Sequence, residues 1–231
     1  MNNLIANSLK VLSAILILSF IASAETYAQK DKKKDKEKKE KEEKFEKTGT
    51  SADNFLKAAF EMGRDMKKFN QSYDDVKMYV YMLLTQPANV IGADVASVVH
   101  AAQGAGALPS QIEVGQLSSL VKDKATSLKD IKDAAVKNSV MEFIRTFGDM
   151  TTALAAMPPA AAKLLTEGAA LPDKLEKEMT GLQKAKLPKV LDKVSDGKSN
   201  LENVQAEAPK LGANITEMVN VLNALVAALG S

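Results

Sequence analysis

Three ladders of apolar residues, each stepping alternately by three and four positions, constrain this chain more than any other feature. The first ladder is Phe55, Ala59, Met62, Met66, Phe69, Tyr73, Val76, Val80 and Leu83. The second is Val136, Val140, Phe143, Phe147, Met150, Leu154 and Met157. The third is Leu201, Val204, Ala208, Leu211, Ile215, Met218, Leu222, Leu225 and Leu229. Because apolar residues make up 45% of the sequence, about half of such a ladder should be polar by chance, yet every position is apolar.

This spacing places a narrow apolar seam along one side of an α-helix, as helices that pack side by side require. Sequence patterns typical of β-strands are almost absent. The ladders therefore predict an all-α fold. We expect an elongated antiparallel bundle of about five helices with coiled-coil-like seams.

Residues 1–28 have the pattern of a cleaved secretory signal peptide. A single basic residue, Lys10, precedes a hydrophobic segment at 11–21 that is interrupted only by two serines. Patterns of small residues end at Ala24 and at Ala28, so we expect cleavage after residue 24 or 28. The hydrophobic segment is shorter than the roughly 20 residues that span a bilayer. These features predict a secreted or periplasmic protein.

Residues 29–49 form a charged tail that is rich in lysine and glutamate. Such a segment cannot bury enough apolar surface to offset its ordering entropy, so we expect a disordered segment or a solvated helix. The tail is either a soluble spacer or an electrostatic docking segment for an anionic surface. The docking residues would be Lys32, Lys33, Lys34, Lys36, Lys38 and Lys39. Acidic residues dilute its charge and arginine is absent from it, so a nucleic-acid partner is not expected.

Residues 50–231 are predicted to form the helical-bundle domain, and capping boxes indicate where its helices start. The side chains of such a box satisfy backbone N–H groups that lack partners in the first helical turn. Boxes at Thr50, Ser110 and Ser199 predict three helix starts. The first helix is expected to continue to about Thr85, just before a proline.

Prolines, a turn signal and a phase shift predict the other helix boundaries. Pro158 and Pro159 should end the helix that starts at Ser110, and the Ser-Asp-Gly-Lys sequence at 195–198 should form a turn. A one-residue phase slip in the apolar pattern predicts a bend near 137–139. Pro209 predicts a kink or a restart within the last helix.

Residues 88–108 are small and apolar on nearly every side, and Asp94 and His100 are their only ionisable residues. Small residues spaced by four allow a second helix to approach closely, in a membrane or in a tight core. We expect His100 to be neutral and buried in the bundle; its alternative role is a pH-sensitive gate, because charging it would oppose burial. The candidate membrane or pH-switch residues are Val90, Gly92, Asp94, Ala96, His100 and Gly104.

Reactive side chains are scarce. The chain has one histidine and no cysteine, and no acidic residue lies closer in sequence to His100 than Asp94. Histidine pairs with helical spacing, EF-hand loops and phosphate-binding glycine patterns are all missing. We therefore predict no catalytic residues, no cofactor, no metal site and no enzymatic activity.

Two functional classes fit these patterns. The first is an exported, non-enzymatic structural or binding module, similar to a scaffold or a holdase, that meets a protein partner or a second copy through helix surfaces. The alternative is a membrane-active protein, pore-forming or lipid-binding. It would use the nearly uncharged helices predicted at 88–108 and 211–229, which approach the length needed to span a bilayer.

Overall fold

The computed structural model describes residues 46–230, and these residues form helices joined by turns. The α-helices are α1 (Asp53–Thr85), α2 (Val95–Gly104), α3 (Val114–Asp123), α4 (Ala125–Leu128), α5 (Ala134–Ala169), α6 (Leu171–Glu178) and α7 (Leu187–Ala228). Short 3-10 helices occupy Pro87–Asn89, Pro109–Gln111 and Gly181–Lys186. Residues 46–230 contain no strand, so the all-α prediction is confirmed. Three long helices and four short ones replace the five that were expected over this range. The predicted signal peptide and residues 29–45 of the tail lie outside the described residues.

Every residue of the three apolar ladders is buried. The ladders lie on α1, α5 and α7, the three long helices. Burial of a large apolar side chain stabilises a fold by about 1.5–3 kcal/mol, so these seams contribute substantially to the stability of the fold. The prediction that the ladders form core seams is confirmed.

The described part divides into two compact units. The first unit comprises residues 69–153 and 211–230, and the second comprises 46–68 and 154–210. Each of the three long helices contributes residues to both units. Each unit has buried apolar residues of its own.

Aromatic pairs between α1 and α5 lie in the core of the first unit. The ring of Tyr79 meets the ring of Phe143 edge-on, with centroids 5.1 Å apart and an interplanar angle of 77°. The rings of Tyr73 and Phe147 lie 6.2 Å apart. Residue numbers rise along one helix as they fall along the other, so α1 and α5 are antiparallel in this unit. Burial raises the pKa of both tyrosines to about 12, so their hydroxyl groups stay protonated.

Lys77 ties α1 to the connection that precedes α3. Its Nζ donates hydrogen bonds to the carbonyl oxygens of Pro109, at 2.6 Å, and Ile112, at 3.3 Å. The Nζ also lies 5.1 Å from the centroid of the Tyr73 ring, within the range of a cation–π interaction. These contacts hold residues 109–112 in a 3-10 turn followed by extended backbone. The helix start predicted at Ser110 is therefore wrong, and α3 begins at Val114.

Two glycines of the second unit make room for one aromatic ring. A Cβ atom added to Gly168 would lie 2.6 Å from Cε2 of Phe55, and one added to Gly197 would lie 3.1 Å from Cε1 of the same ring. Gly197 is thus a close-packing position inside α7 and not part of a turn. The turn predicted at 195–198 is wrong, and so is the helix start predicted at Ser199, because α7 runs through both.

Prolines do not end the long helices. Pro158 and Pro159 lie inside α5, and Pro209 lies inside α7. Proline in a helix interior costs about 3 kcal/mol or more. On either side of the proline pair, Met157 and Ala161 are fully buried, so packing of the seam outweighs this local cost. The prediction of a helix end after Met157 is wrong. Of the kink or restart predicted at Pro209, the restart does not occur, because α7 runs through this residue.

A bend was expected near 137–139, but the chain instead leaves helical structure earlier, at 129–133. There the carboxylate of Asp133 accepts a hydrogen bond from the Ala135 amide at 2.8 Å and caps the first turn of α5. A new helix therefore begins where the sequence pattern changes phase, and residues 137–139 lie within its regular part. The first helix also begins later than predicted, at Asp53.

Candidate functional site

The segment 88–108 contains one short helix and not the nearly membrane-spanning helix that its composition predicts. The ten residues of α2 measure about 15 Å, roughly half of a bilayer's hydrocarbon thickness. Gly92 has a φ of +76°, in the left-handed region, and directs the chain into a turn before the helix. Asp94 then caps α2 by accepting a hydrogen bond from the Ser97 amide at 2.9 Å. Gly106, with a φ of +78°, directs the chain away after its end.

The two sides of α2 differ in exposure. Val98, Val99 and Ala102 are buried in the first unit. His100 is exposed, as are the small residues Ala96 and Gly104 of the same candidate set. The prediction of a buried histidine is wrong, because the branched side chains take the buried side of this helix. The pH gate considered for this residue assumed a buried ring, and the ring of His100 is exposed.

The carboxylate of Asp133 accepts a hydrogen bond from the Gly92 amide at 3.2 Å. Next to this contact, exposed residues of the segment without acidic or basic groups other than His100 make up what we call the 88–108 surface. It consists of Ala88, Ile91, Gly92, Ala96, His100, Gly104 and Leu108. Two large apolar side chains on it are strongly exposed, Ile91 at 48% and Leu108 at 52%. Asp94 is the only acidic or basic residue between 86 and 112 apart from His100. The hydrogen bond from the Ser97 amide lowers the pKa of Asp94 and engages its carboxylate within the chain. Val90 alone of the candidate set is buried, at 0% exposure.

The second segment considered for membrane insertion, 211–229, lies in α7. Within the described residues, one helical stretch, Gly181–Ala228, includes a window of 18 residues that is long and apolar enough to cross a membrane. The core helix of a soluble protein can meet the same criterion. The ladder residues of this segment are buried within the first unit.

The predicted docking lysines of the tail lie outside the described residues, but the point where the tail joins the second unit is described. Lys193 Nζ lies 3.4 Å from the carboxylate of Glu46. The Ser51 amide donates a hydrogen bond to Glu178 at 3.0 Å. The chain therefore enters the second unit beside the end of α6 and the first turns of α7.

Leu182 occupies an unexpected position at this end of the second unit. The sequence pattern groups it with Leu175 and Met179 in one apolar seam. Leu175 and Met179 are buried, whereas Leu182 is 95% exposed and does not share their buried side. Gly181 has a φ of +56° and starts a new 3-10 helix, which breaks the α-helical spacing. The Thr-Gly pair at 180–181 was the sequence signal for this change.

Asp65 is a buried carboxylate in the second unit. It is 7% exposed, and no described residue gives a hydrogen bond to its Oδ1 atom. Burial raises the pKa of Asp65, although Arg64 and Lys68 favour its charged form. By contrast, hydrogen bonds from Thr48 and Gly49 outweigh burial and lower the pKa of Asp53.

We expect the substitution Asp65→Asn to raise the free energy of unfolding at neutral pH, because the neutral amide removes the charged form that burial disfavours. The folded-state pKa of Asp65 lies above its unfolded value near 3.8. Between these two values the folded chain binds more protons, so stability falls as pH rises through this window. The gain from the substitution should therefore shrink as pH falls through this window, and it should be smallest below pH 3.8.

Urea unfolding of both chains at neutral and acidic pH measures this difference. The exposed Asp196 of the same unit provides a control, and Asp196→Asn should leave the unfolding midpoint unchanged at both pH values. A gain from Asp65→Asn that does not depend on pH would contradict the titration argument.

No protein-family model matches this chain, and no curated protein and no solved structure gives a significant match to it.

Proposed function

We propose that this protein is an exported, non-enzymatic helical-bundle module, similar to a scaffold or a holdase, that binds another protein or a second copy of itself. The observation that carries the proposal is the 88–108 surface of the first unit. It exposes large apolar side chains in a stretch with almost no charge. Depletion of charged residues is typical of the central part of protein–protein interfaces.

The small residues on α2 suit this role. Ala96 and Gly104 lie on the exposed side of the helix, so a partner helix could approach the backbone closely. Ile91 and Leu108 precede and follow α2 in sequence and supply apolar contact area. The residues that hold α2 in place, Val98, Val99 and Ala102, are distinct from those that would contact the partner. Binding therefore requires no rearrangement of the core.

Site-specific crosslinking tests the proposal. A photoreactive phenylalanine analogue at Ala96 should give crosslinked products, with the purified chain alone or with an extract of the exporting cells. The same analogue at Gln116, an exposed position on α3 of the same unit, should give none. Products with the purified chain alone indicate self-association, and products only with the extract indicate a different protein. Equal yields at both positions, or none at Ala96, would contradict the proposal.

A membrane-active function is the second candidate, and one observation favours it: Gly181–Ala228 contains a window that is apolar enough to cross a bilayer. Insertion would require the buried ladder of 211–229 to leave the first unit. Release of a dye from neutral and anionic vesicles, at neutral and mildly acidic pH, distinguishes the two functions. The binding module should leave the vesicles intact, whereas a pore-forming protein should empty them.

A further inference from the structure

The 3-10 helix Gly181–Lys186 presents a leucine and several lysines to solvent at one end of the second unit. All six of its residues are exposed, and Leu182 is 95% exposed. The neighbouring apolar residues Leu175 and Leu187 are buried, so the flanking helices use their apolar sides within the fold. Leu182 is thus a single projecting apolar side chain and not the edge of a wider apolar face.

The charged residues between Glu178 and Asp192 in the sequence are all lysines. Lys184 and Lys186 lie on the same 3-10 helix, and Lys189 is exposed in the first turn of α7. No acidic residue occurs between Glu178 and Asp192 in the sequence. Of these two, Glu178 accepts a hydrogen bond from the Ser51 amide, which engages its carboxylate within the fold.

The charged tail joins the fold beside this group of lysines. Glu46, at the end of the tail's charged run, pairs with Lys193 of α7. Lys193 follows Lys189 by four residues, which is about 6 Å along a helix. The preceding residues 30–45, which lie outside the described residues, contain nine lysines and six acidic residues.

We propose that the Gly181–Lys186 turn docks this protein on the surface of an anionic lipid bilayer. Leu182 enters the boundary between headgroups and acyl chains, and Lys184, Lys186 and Lys189 pair with lipid phosphates. A bilayer accepts one projecting leucine without a complementary pocket. Specific protein interfaces bury about 800 Å² per partner and favour aromatic residues and arginine, and this turn contains neither. The inference concerns the second unit and does not depend on the proposed function of the 88–108 surface.

A tryptophan reporter tests the inference in the full chain. The natural sequence has no tryptophan, so Leu182→Trp gives a fluorescence signal from this position alone. With vesicles of mixed phosphatidylglycerol and phosphatidylcholine, its emission should shift to shorter wavelength, and brominated lipids should quench it. The control Ala206→Trp, at an exposed position of α7 in the same unit, should show neither effect. This comparison remains valid if residues 1–28 hold the chain on the vesicle, because each signal reports only its own position.

Charge dependence distinguishes docking on anionic lipid from adsorption to any bilayer or to any polyanion. In the Leu182→Trp chain, replacing Lys184, Lys186 and Lys189 with glutamine should weaken partitioning into anionic vesicles by about fivefold for each lysine. High salt should have a similar effect, and vesicles of phosphatidylcholine alone should give no shift. The inference is overturned if the two tryptophan positions behave alike, if neutral vesicles give the same shift, or if soluble polyglutamate gives it without lipid. Failure of this test would leave crosslinking at Ala96 unaffected.

Discussion

Gly168→Ala is expected to destabilise the protein by about 1–3 kcal/mol, the usual cost of inserting an extra carbon into a packed core. Helix propensity alone predicts the opposite, because alanine is favoured over glycine by about 1 kcal/mol inside a helix. The added Cβ would lie 2.6 Å from Cε2 and 2.8 Å from Cζ of Phe55. The ring of Phe55 must therefore shift to admit the methyl group, and a Cβ added to Gly197 would meet the same ring at Cε1, 3.1 Å away.

A second glycine of α5 provides a control with the opposite expected sign. Gly148 is exposed, and a Cβ added there would meet no atom within 4 Å. Gly148→Ala should therefore stabilise the protein by about 0.5–1 kcal/mol. Urea unfolding of the two variants and the natural chain measures both changes. In a Phe55→Leu background, which removes the ring, Gly168→Ala should lose most of its cost. Stabilisation by both glycine substitutions in the natural background would show that the ring yields easily.

The reliable predictions from the sequence were those that depend only on the helical spacing of apolar residues. The first ladder continues through the Asn-Gln-Ser sequence at 70–72, and α1 does the same. Apolar side chains repeated at helical spacing must be buried wherever the helix packs, whatever its partner is. This is why all three ladders are buried although the helix boundaries between them were often wrong.

Glycine and proline misled the prediction because their effect depends on the surroundings. In the sequence, Gly197 has the pattern of a turn residue. In the structure it lies inside a helix, next to the ring of Phe55, which is far away in the sequence. Pro158 and Pro209 favour helix ends locally, but the seams that continue past them are worth more than the hydrogen bonds lost. A single sequence does not reveal such long-range contacts, so local propensity is overridden without warning.

In the candidate site, too, the predictions that no long ladder supported were the ones that failed. In 88–108, alanines and glycines carry too little hydrophobic signal to predict which side of α2 is buried. The structure buries the side that carries Val98 and Val99. Valines at 98 and 99 favoured burial of the adjacent His100, but they lie on the buried side of the helix and His100 does not. Leu182 was assigned to a seam by spacing that Gly181 interrupts with its positive φ. Both errors concern the orientation of a short segment, which a long ladder does not constrain.

Phe147→Ala is expected to lower the free energy of unfolding by about 3–5 kcal/mol, the usual cost of removing a buried aromatic side chain. Phe147 is 0% exposed and lies near the middle of the second ladder. Its ring packs 6.2 Å from the ring of Tyr73 on the antiparallel helix, so the substitution also removes an aromatic pair between α1 and α5. The cavity that remains is too deep in the first unit to be filled by small adjustments of the backbone.

Met141→Ala is the matched control on the same helix, because Met141 is 53% exposed. Its effect should stay within about 0.5 kcal/mol. Chemical unfolding of both variants, followed by circular dichroism at 222 nm, a wavelength that reports helix content, gives the two free energies. A loss below about 1 kcal/mol for Phe147→Ala would mean that this ladder does not form the contact between α1 and α5. A loss near the full expected value would show that the pairing of these helices in the first unit depends on Phe147, a ladder residue that the sequence pattern identifies.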